Sequence, residues 1–132
     1  MSSHPLRSVI EAADRAIVAE NFDALMDVYA DDATLVIRPG LNATGTAEIR
    51  RAFVAIAEHF NHSLALDQGD MVVLEGADAA LVIMESIIEA VGADGARQHI
   101  VRRGTAVFRK DPAGQWLCVI DNSYGTDLLG AV

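Results

Sequence analysis

Residues 98–123, QHIVRRGTAVFRKDPAGQWLCVIDNS, contain two long apolar segments with a short polar segment between them. The segments at 98–110 and 116–123 follow the period of two that is typical of β-strands. The residues between them, at 111–114, read DPAG, a composition that favours a turn. The stretch therefore predicts a hairpin of two long antiparallel strands.

Two further strands are predicted directly upstream of this hairpin. They cover residues 64–75 and 79–91, and glycine-containing turn signals at 76–78 and 92–95 separate them from their neighbours. Gly69 lies within the first of these strands, where an isolated glycine suggests a β-bulge. The second half of the chain is thus expected to form a four-stranded antiparallel meander.

The first half of the chain has helical periodicity instead. Pro5 suits the first turn of a helix, because its missing N–H would have no partner there. Asp31 and Asp32 are typical of a turn, and a polar loop is expected at 42–45. The predicted elements are a helix at 5–20, a short helix at 22–29, a strand at 33–38 and a helix that begins at Thr46. This order predicts an α+β fold in which three N-terminal helices pack on an antiparallel sheet.

The composition limits the class of protein. The chain has 132 residues, which is the usual size of one domain, so we expect a single domain over residues 1–132. With 52% hydrophobic residues the chain is not disordered, and its net charge of −9 disfavours nucleic acids and anionic membranes as partners. Cys118 is the sole cysteine, and no signal-peptide or membrane-span pattern is present. We therefore expect a cytoplasmic protein without disulfides.

The turn at 111–114 suggests a register for the last hairpin. If Lys110 pairs with Gln115, Gly104 lies opposite Asp121, and the glycine leaves room beside the Asp121 carboxylate. Asp121 is notable because it ends an apolar run. The register predicts that one face of the last strand carries this carboxyl group.

The preceding hairpin can be registered by its charges. One register places Glu85 opposite Arg103 and Glu89 opposite His99, which are favourable cross-strand pairs. The other face is then small and apolar apart from four polar residues, namely Ser86, Arg102, Asp121 and Ser123. An apolar wall with a few convergent polar groups is typical of a small-molecule pocket.

The charged face of the same sheet also carries several large apolar side chains. They are Leu81, Ile83, Ile87, Val101, Val107 and Trp116. Such a surface is larger than a monomer usually exposes. We therefore expect a homodimer that forms through this outer face of the sheet.

Three segments resemble the nuclear-transport-factor-two-like superfamily. They are YADDATL at 29–35, GTAEI at 45–49 and WLCVIDNSYG at 116–125, and the resemblance covers residues 6–128. Within the superfamily, the SnoaL-like and ketosteroid-isomerase-like branch is the most similar. This resemblance implies a cone-shaped fold, in which a strongly curved sheet surrounds three helices and a ligand cavity, usually in a homodimer.

The resemblance also argues against steroid isomerisation. The positions that match the isomerase's general base and its two oxyanion-hole donors are Ile37, Ala13 and Ala106. None of these side chains can transfer a proton or donate a hydrogen bond. Of the isomerase's supporting tyrosines, one matches Tyr29 and another is replaced by Phe53.

Two functions remain open at this point. The chain is either a cofactor-independent isomerase, cyclase or dehydratase acting on a small apolar carbonyl compound, or a non-catalytic ligand-binding or assembly domain. In the first case Asp121 is the candidate acid–base residue and Arg102 orients the ligand, although the two could instead form a structural ion pair. The other candidate ligand-binding residues are Tyr29, Phe53, Ser86 and Ser123.

No metal site is predicted. His59 and His62 are three residues apart at the end of the third helix, and Asp67 follows, but no further ligand is defined by the spacing. Cys118 alternates with the candidate pocket residues, so we expect it to be a small buried apolar residue on the same face as Trp116, away from the pocket.

Overall fold

The computed structural model describes residues 4–130 and confirms the α+β fold. The helices are α1 (Pro5–Val18), α2 (Phe22–Met26) and α3 (Thr46–His59). The strands are β1 (Tyr29–Arg38), β2 (Leu41–Thr44), β3 (Ala65–Gly76), β4 (Ala79–Val91), β5 (Arg97–Lys110) and β6 (Trp116–Asn122). A 3₁₀ helix at Gly125–Leu129 follows β6. Within the described residues, no helix is both long enough and apolar enough to cross a membrane.

The six strands form one curved, open sheet in the order β2-β1-β6-β5-β4-β3. Strands β1 and β6 are parallel, whereas the other neighbouring pairs are antiparallel. The prediction of a purely antiparallel sheet is therefore wrong at one pair. These two strands are far apart in the chain, so no local turn signal specifies their relative direction.

The predicted boundaries differ most around β1 and β2. Helix α2 ends at Met26, and Asp31 and Asp32 lie within β1 rather than in a turn. The expected polar loop contains β2, which pairs with β1 at the edge of the sheet. Only Ala43 of this strand is buried, so its sequence lacks the apolar alternation by which a longer strand is recognised.

Helices α1 and α3 cover the concave face of the sheet. On α1, Leu6 and Ile10 are buried, and the Arg7 guanidinium donates hydrogen bonds of 3.4 Å to the Gly69 carbonyl oxygen of β3. The β3–β4 register shifts next to Gly69, between Gln68 and Met71, which confirms the predicted bulge. On α3 the buried face is formed by Ile49, Ala52, Phe53 and Ala57.

The register predicted for β4 and β5 is confirmed. Glu85 pairs with Arg103 and Glu89 pairs with His99. On the outer face Arg103 Nε lies 3.3 Å from Glu85 Oε2 in an ion pair, and His99 Nδ1 lies 3.2 Å from Glu89 Oε1, within hydrogen-bond distance. The opposite, concave face of these strands is therefore the predicted small and apolar one.

The register predicted for β5 and β6 is wrong. Lys110 pairs with Trp116, and Asp121 lies opposite Ala106 rather than Gly104. A β-bulge leaves Val119 without a partner on β5 and shifts the register by one residue. Beyond the bulge the pairing differs from the predicted one by two residues, so Asp121 still faces inward.

Two further predictions that relied on this register are also wrong in part. Cys118 is buried, as predicted, but it belongs to the core together with Trp116, so neither residue lies on the outer face. Gly104 allows the backbones of β5 and β6 to approach each other closely, and it does not make room for Asp121. A Cβ atom on Gly104 would lie 2.7 Å from the Asn122 carbonyl oxygen.

Candidate functional site

A cavity of about 800 Å³ lies between the helices and the concave face of the sheet. Its walls are mainly apolar and include Ile10, Ile17, Ile56, Met84, Ile100 and Phe108. All six candidate residues of the sequence analysis border it, namely Tyr29, Phe53, Ser86, Arg102, Asp121 and Ser123. The structure thus brings together residues from β1, α3, β4, β5 and the end of β6.

Asp121 lies in a row of side chains that crosses the whole sheet on its concave face. We call it the inner row; it consists of Val73, Val82, Ala106, Asp121, Leu35 and Ala43. Asp121 is the one ionisable residue in this row. Burial among apolar neighbours raises the pKa of its carboxyl group, because the charged form loses hydration.

The partner of Asp121 is Tyr29. The Tyr29 hydroxyl donates a hydrogen bond of 2.7 Å to Asp121 Oδ2. This bond stabilises the carboxylate and lowers the Asp121 pKa, but by less than burial raises it. The pKa of Tyr29 is raised far above its usual value, first by burial and then by the charge of Asp121. Tyr29 therefore remains a neutral hydrogen-bond donor.

A second polar cluster lies elsewhere in the cavity wall and consists of Asp14, Gln68 and Ser86. Gln68 Nε2 donates to Asp14 Oδ2 at 2.8 Å and to Ser86 Oγ at 3.2 Å. Burial is the main reason that the pKa of Asp14 is raised from 3.8 to about 6. The hydrogen bond from Gln68 opposes this shift, whereas the charge of Asp121 adds to it.

The sequence analysis missed Asp14 and Gln68. A signal for Asp14 was present, since it lies four residues after Ile10 and three before Ile17, on the apolar stripe of α1. A carboxyl group in such a stripe is unusual enough to mark a functional candidate. Gln68 had no comparable signal, because alternation in β3 is interrupted by the bulge at Gly69.

Arg102 does not pair with Asp121 in the described part of the chain. Its guanidinium carbon lies 4.3 Å from the centre of the Tyr124 ring, a cation–π contact. Gly125 has a φ angle of +55°, and a Cβ atom there would collide with the Arg103 carbonyl oxygen. Glycine at this position thus lets the chain turn sharply after Tyr124, a cavity residue that the sequence analysis missed.

The two histidines do not form a shared site with Asp67. His62 Nδ1 lies 2.9 Å from Glu20 Oε1 at the surface. His59 borders the cavity, and its ring stacks edge-on against Phe60 at 4.8 Å. Asp67 is exposed on β3.

The positions that resemble the isomerase's catalytic residues also border the cavity. Ala13, Ile37 and Ala106 contribute only apolar surface there. Two of them have a carboxyl group beside them, because Asp14 follows Ala13 and Asp121 pairs with Ala106. The cavity therefore has two carboxyl groups, both at positions other than those of the isomerase.

Comparison with protein families supports the resemblance noted in the sequence. The profile of the SnoaL-like domain family matches residues 6–119, which is most of the chain. No protein of curated function matches the chain at a significant level.

Several solved structures share the fold. Aln2 from a Streptomyces species aligns with a TM-score of 0.81 at 14% identity, over 98% of this chain and 97% of that chain. A ketosteroid isomerase-like protein from Erwinia carotovora atroseptica aligns with a TM-score of 0.73 at 21% identity, over 87% and 88%. A protein provisionally named a dehydratase, from Streptomyces avermitilis, has a TM-score of 0.75 at 20% identity, over 89% and 91%. At these identities the similarity shows the fold alone.

Proposed function

The chain belongs to the SnoaL-like domain family, and from this premise we propose that it is a cofactor-independent acid–base enzyme acting on a small, largely apolar carbonyl compound. The observation that carries the proposal is the hydrogen bond between Tyr29 and Asp121 in the wall of a large apolar cavity. An ionisable group in such a wall, with a perturbed pKa and a specific partner, is typical of an active site.

The proposed chemistry is removal of a proton from the carbon next to the carbonyl group. The Asp121 carboxylate accepts this proton, and its raised pKa makes it a stronger base than an exposed carboxylate. Tyr29 positions the carboxylate, while Arg102 orients the polar end of the ligand. Isomerisation, cyclisation and dehydration of carbonyl compounds can all proceed through this step.

The alternative is a non-catalytic ligand-binding domain. Ala13, Ile37 and Ala106 favour it, because the positions that resemble the isomerase's catalytic residues carry no group that transfers a proton or donates a hydrogen bond. A binding protein needs the cavity but does not need the Asp121 carboxylate to accept a proton. The two functions therefore differ in their dependence on this group.

Hydrogen–deuterium exchange tests the proposal without knowledge of the natural substrate. The protein is incubated with cyclohexanone or 1-tetralone in D₂O, and loss of the proton next to the carbonyl group is followed by NMR. We expect the protein to accelerate exchange over buffer, and Asp121→Asn to lower that acceleration by about 10²-fold or more. Asp78→Asn in the exposed β3–β4 turn is the matched control and should stay within twofold.

Two results would contradict the enzyme and favour the binding domain. The first is that the ketones bind, as shown by ligand-observed NMR, without faster exchange. The second is that Asp121→Asn exchanges as fast as the unaltered protein. Native mass spectrometry of freshly purified protein would complement both, because a retained small molecule identifies the class of ligand.

We also propose that two copies of the chain associate through the outer face of the sheet. Exposed apolar side chains of four adjacent strands are continuous there, and they include Val72, Leu74, Leu81, Ile83, Val101 and Ile120. The ion pair Glu85–Arg103 and the Glu89–His99 contact lie on the same surface. A patch that carries charges of both signs beside apolar area can be complementary to a second copy of itself.

A further inference from the structure

Asp14 borders two separate spaces. One is the cavity, and the other is a groove of about 390 Å³ between α1 and β3, lined by Glu11, Arg15 and Asp67 among others. Asp14 is the one ionisable side chain of residues 4–130 that borders both spaces. Its carboxyl group is thus placed to exchange protons with the cavity on one side and with solvent on the other.

Gln68 holds this carboxyl group in place. Both N–H groups of its amide are engaged, one with Asp14 Oδ2 at 2.8 Å and the other with Ser86 Oγ at 3.2 Å. The amide oxygen of Gln68 is buried and has no hydrogen-bond partner among the described residues. A buried acceptor without a partner is costly, so the amide is oriented here for its donors rather than for its acceptor.

The charges around Asp14 favour its protonated form. Glu11 lies on the same helix, Asp67 on β3 and Asp121 on β6, and each raises the pKa of Asp14, in addition to burial. Arg15 is the cation that lines the groove nearby. Below about pH 6 most Asp14 carboxyl groups are protonated, so Asp14 can then offer a proton in the same cavity as the Asp121 carboxyl group, as acid–base pairs do.

We propose that Asp14 is the second acid–base residue of the cavity, and that Gln68 is its positioning residue. This inference rests on the function proposed above. As Asp121 takes a proton from carbon, Asp14 gives its proton to the carbonyl oxygen. The C–H bond and the Asp14 O–H bond break, and O–H bonds form on Asp121 and on the enol oxygen. When the enol returns to a ketone, Asp14 recovers a proton from the oxygen and Asp121 returns one to carbon.

The first test needs no ligand. In protein labelled with ¹³C at the aspartate carboxyl carbons, the Asp14 signal is assigned by its loss in Asp14→Asn. We expect it to titrate at about pH 6. Asp121→Asn should lower this midpoint, because a negative charge is removed, and Gln68→Leu should raise it, because the carboxylate loses its donor. A midpoint near 4, the ordinary value for aspartate, would overturn the inference.

The second test is the pH dependence of ketone exchange in D₂O with cyclohexanone. We expect the rate to fall above about pH 6 as Asp14 loses its proton. Asp14→Asn should remove this decline and lower the rate at pH 5 by about tenfold or more. Asp78→Asn, in the exposed β3–β4 turn and away from both spaces, is the matched control and should retain both the rate and the decline.

The outcomes separate this inference from the proposed function. Exchange that depends on Asp121 but is unchanged in Asp14→Asn would overturn the role of Asp14 and leave the enzyme intact. Absence of any accelerated exchange in the unaltered protein would contradict the enzyme, and with it the role of Asp14. Loss of the pH decline in Asp14→Asn together with a shifted midpoint in Gln68→Leu would support both residues.

Discussion

Two neighbouring rows of side chains cross the same sheet and face opposite ways. The inner row contains Asp121 among buried apolar residues. The residues next to the inner row on each strand form a second row, which we call the outer row. It consists of Leu74, Leu81, Val107, Ile120, Thr34 and Thr44. In the outer row Leu74 and Ile120 expose 53% and 45% of their surface.

The difference between the rows is not their apolar content. The centre of the inner row is small, with Ala106 next to Asp121, and this leaves space for the cavity. On β3 to β6 the outer row has larger side chains than the inner row, and Leu74, Leu81 and Ile120 of the outer row are exposed. Side-chain size and one carboxyl group thus separate a ligand site from a surface for association.

The largest effect is expected on ligand binding when a large side chain is introduced into the inner row, compared with the same side chain in the outer row. Ala106→Phe places a ring in the cavity, whereas Val107→Phe places the same ring on the outer face. We expect Ala106→Phe to weaken binding of the apolar fluorophore N-phenyl-1-naphthylamine by about 100-fold or more, because the space is filled. Val107→Phe should stay within about threefold, as measured by fluorescence titration.

Circular dichroism of both variants shows whether the ring is tolerated. Overpacking costs about 1–3 kcal/mol, which a domain of this size usually survives. Equal binding by the two variants would mean that the fluorophore does not use the cavity, and the contrast between the rows would lose its functional meaning.

The next largest effect is a dependence of protein stability on pH that arises from Asp14 on the cavity side of the sheet. The pKa of Asp14 is raised in the folded protein from 3.8 to about 6, so the folded state binds more protons than the unfolded state between these values. The contribution of Asp14 to stability is therefore fully present below about pH 4 and is lost as the pH rises to 6. Above pH 6 the loss is on the order of 3 kcal/mol.

Asp14→Asn should remove this loss, because asparagine does not ionise. We expect the free energy of unfolding of the variant, relative to the unaltered protein, to rise by about 2 kcal/mol between pH 4 and pH 7. Urea denaturation at each pH measures it, and exposed Asp78→Asn is the control. A difference that does not change with pH would show that Asp14 titrates normally.

The smallest effect is expected on the outer face. Ile83→Glu introduces a negative charge at an exposed apolar position, and two-fold symmetry would place it near its copy. We expect association of two chains to weaken by about tenfold or more in sedimentation velocity. Leu128→Glu, at an exposed site in the 3₁₀ helix, should leave it unchanged. A monomeric unaltered protein would contradict the dimer.

Local pairing explains what could be predicted of the site. The β4–β5 register follows from complementary charges on strands joined by a short turn, and it correctly places Ser86 and Arg102 on the concave face. Asp121 faces inward although its predicted register is wrong. The error is two residues at that point, and a shift of two preserves the face.

The rest of the site depends on contacts between distant parts of the chain. Tyr29 contacts Asp121, which is 92 residues away in the chain. The contact depends on the parallel pairing of β1 with β6, and no turn sequence between these strands indicates that pairing. Asp14 meets Gln68 across 54 residues, where α1 packs on the bulged β3. Sequence patterns that span only a few residues cannot predict contacts between residues so far apart in the chain.

Three motifs of the sequence resemble the family to which the chain belongs. The sequence by itself also determined the order of the helices and of all strands except β2, and the face of β4 and β5 that lines the cavity. These features arise from periodicity, turn residues and charge pairs between neighbours in the chain. Only the tertiary structure decided that Tyr29, rather than Arg102, pairs with Asp121, and that Asp14 joins it in one cavity. The bulge at Val119 and the packing of α1 decide which side chains converge, and both depend on how the whole curved sheet packs against its helices.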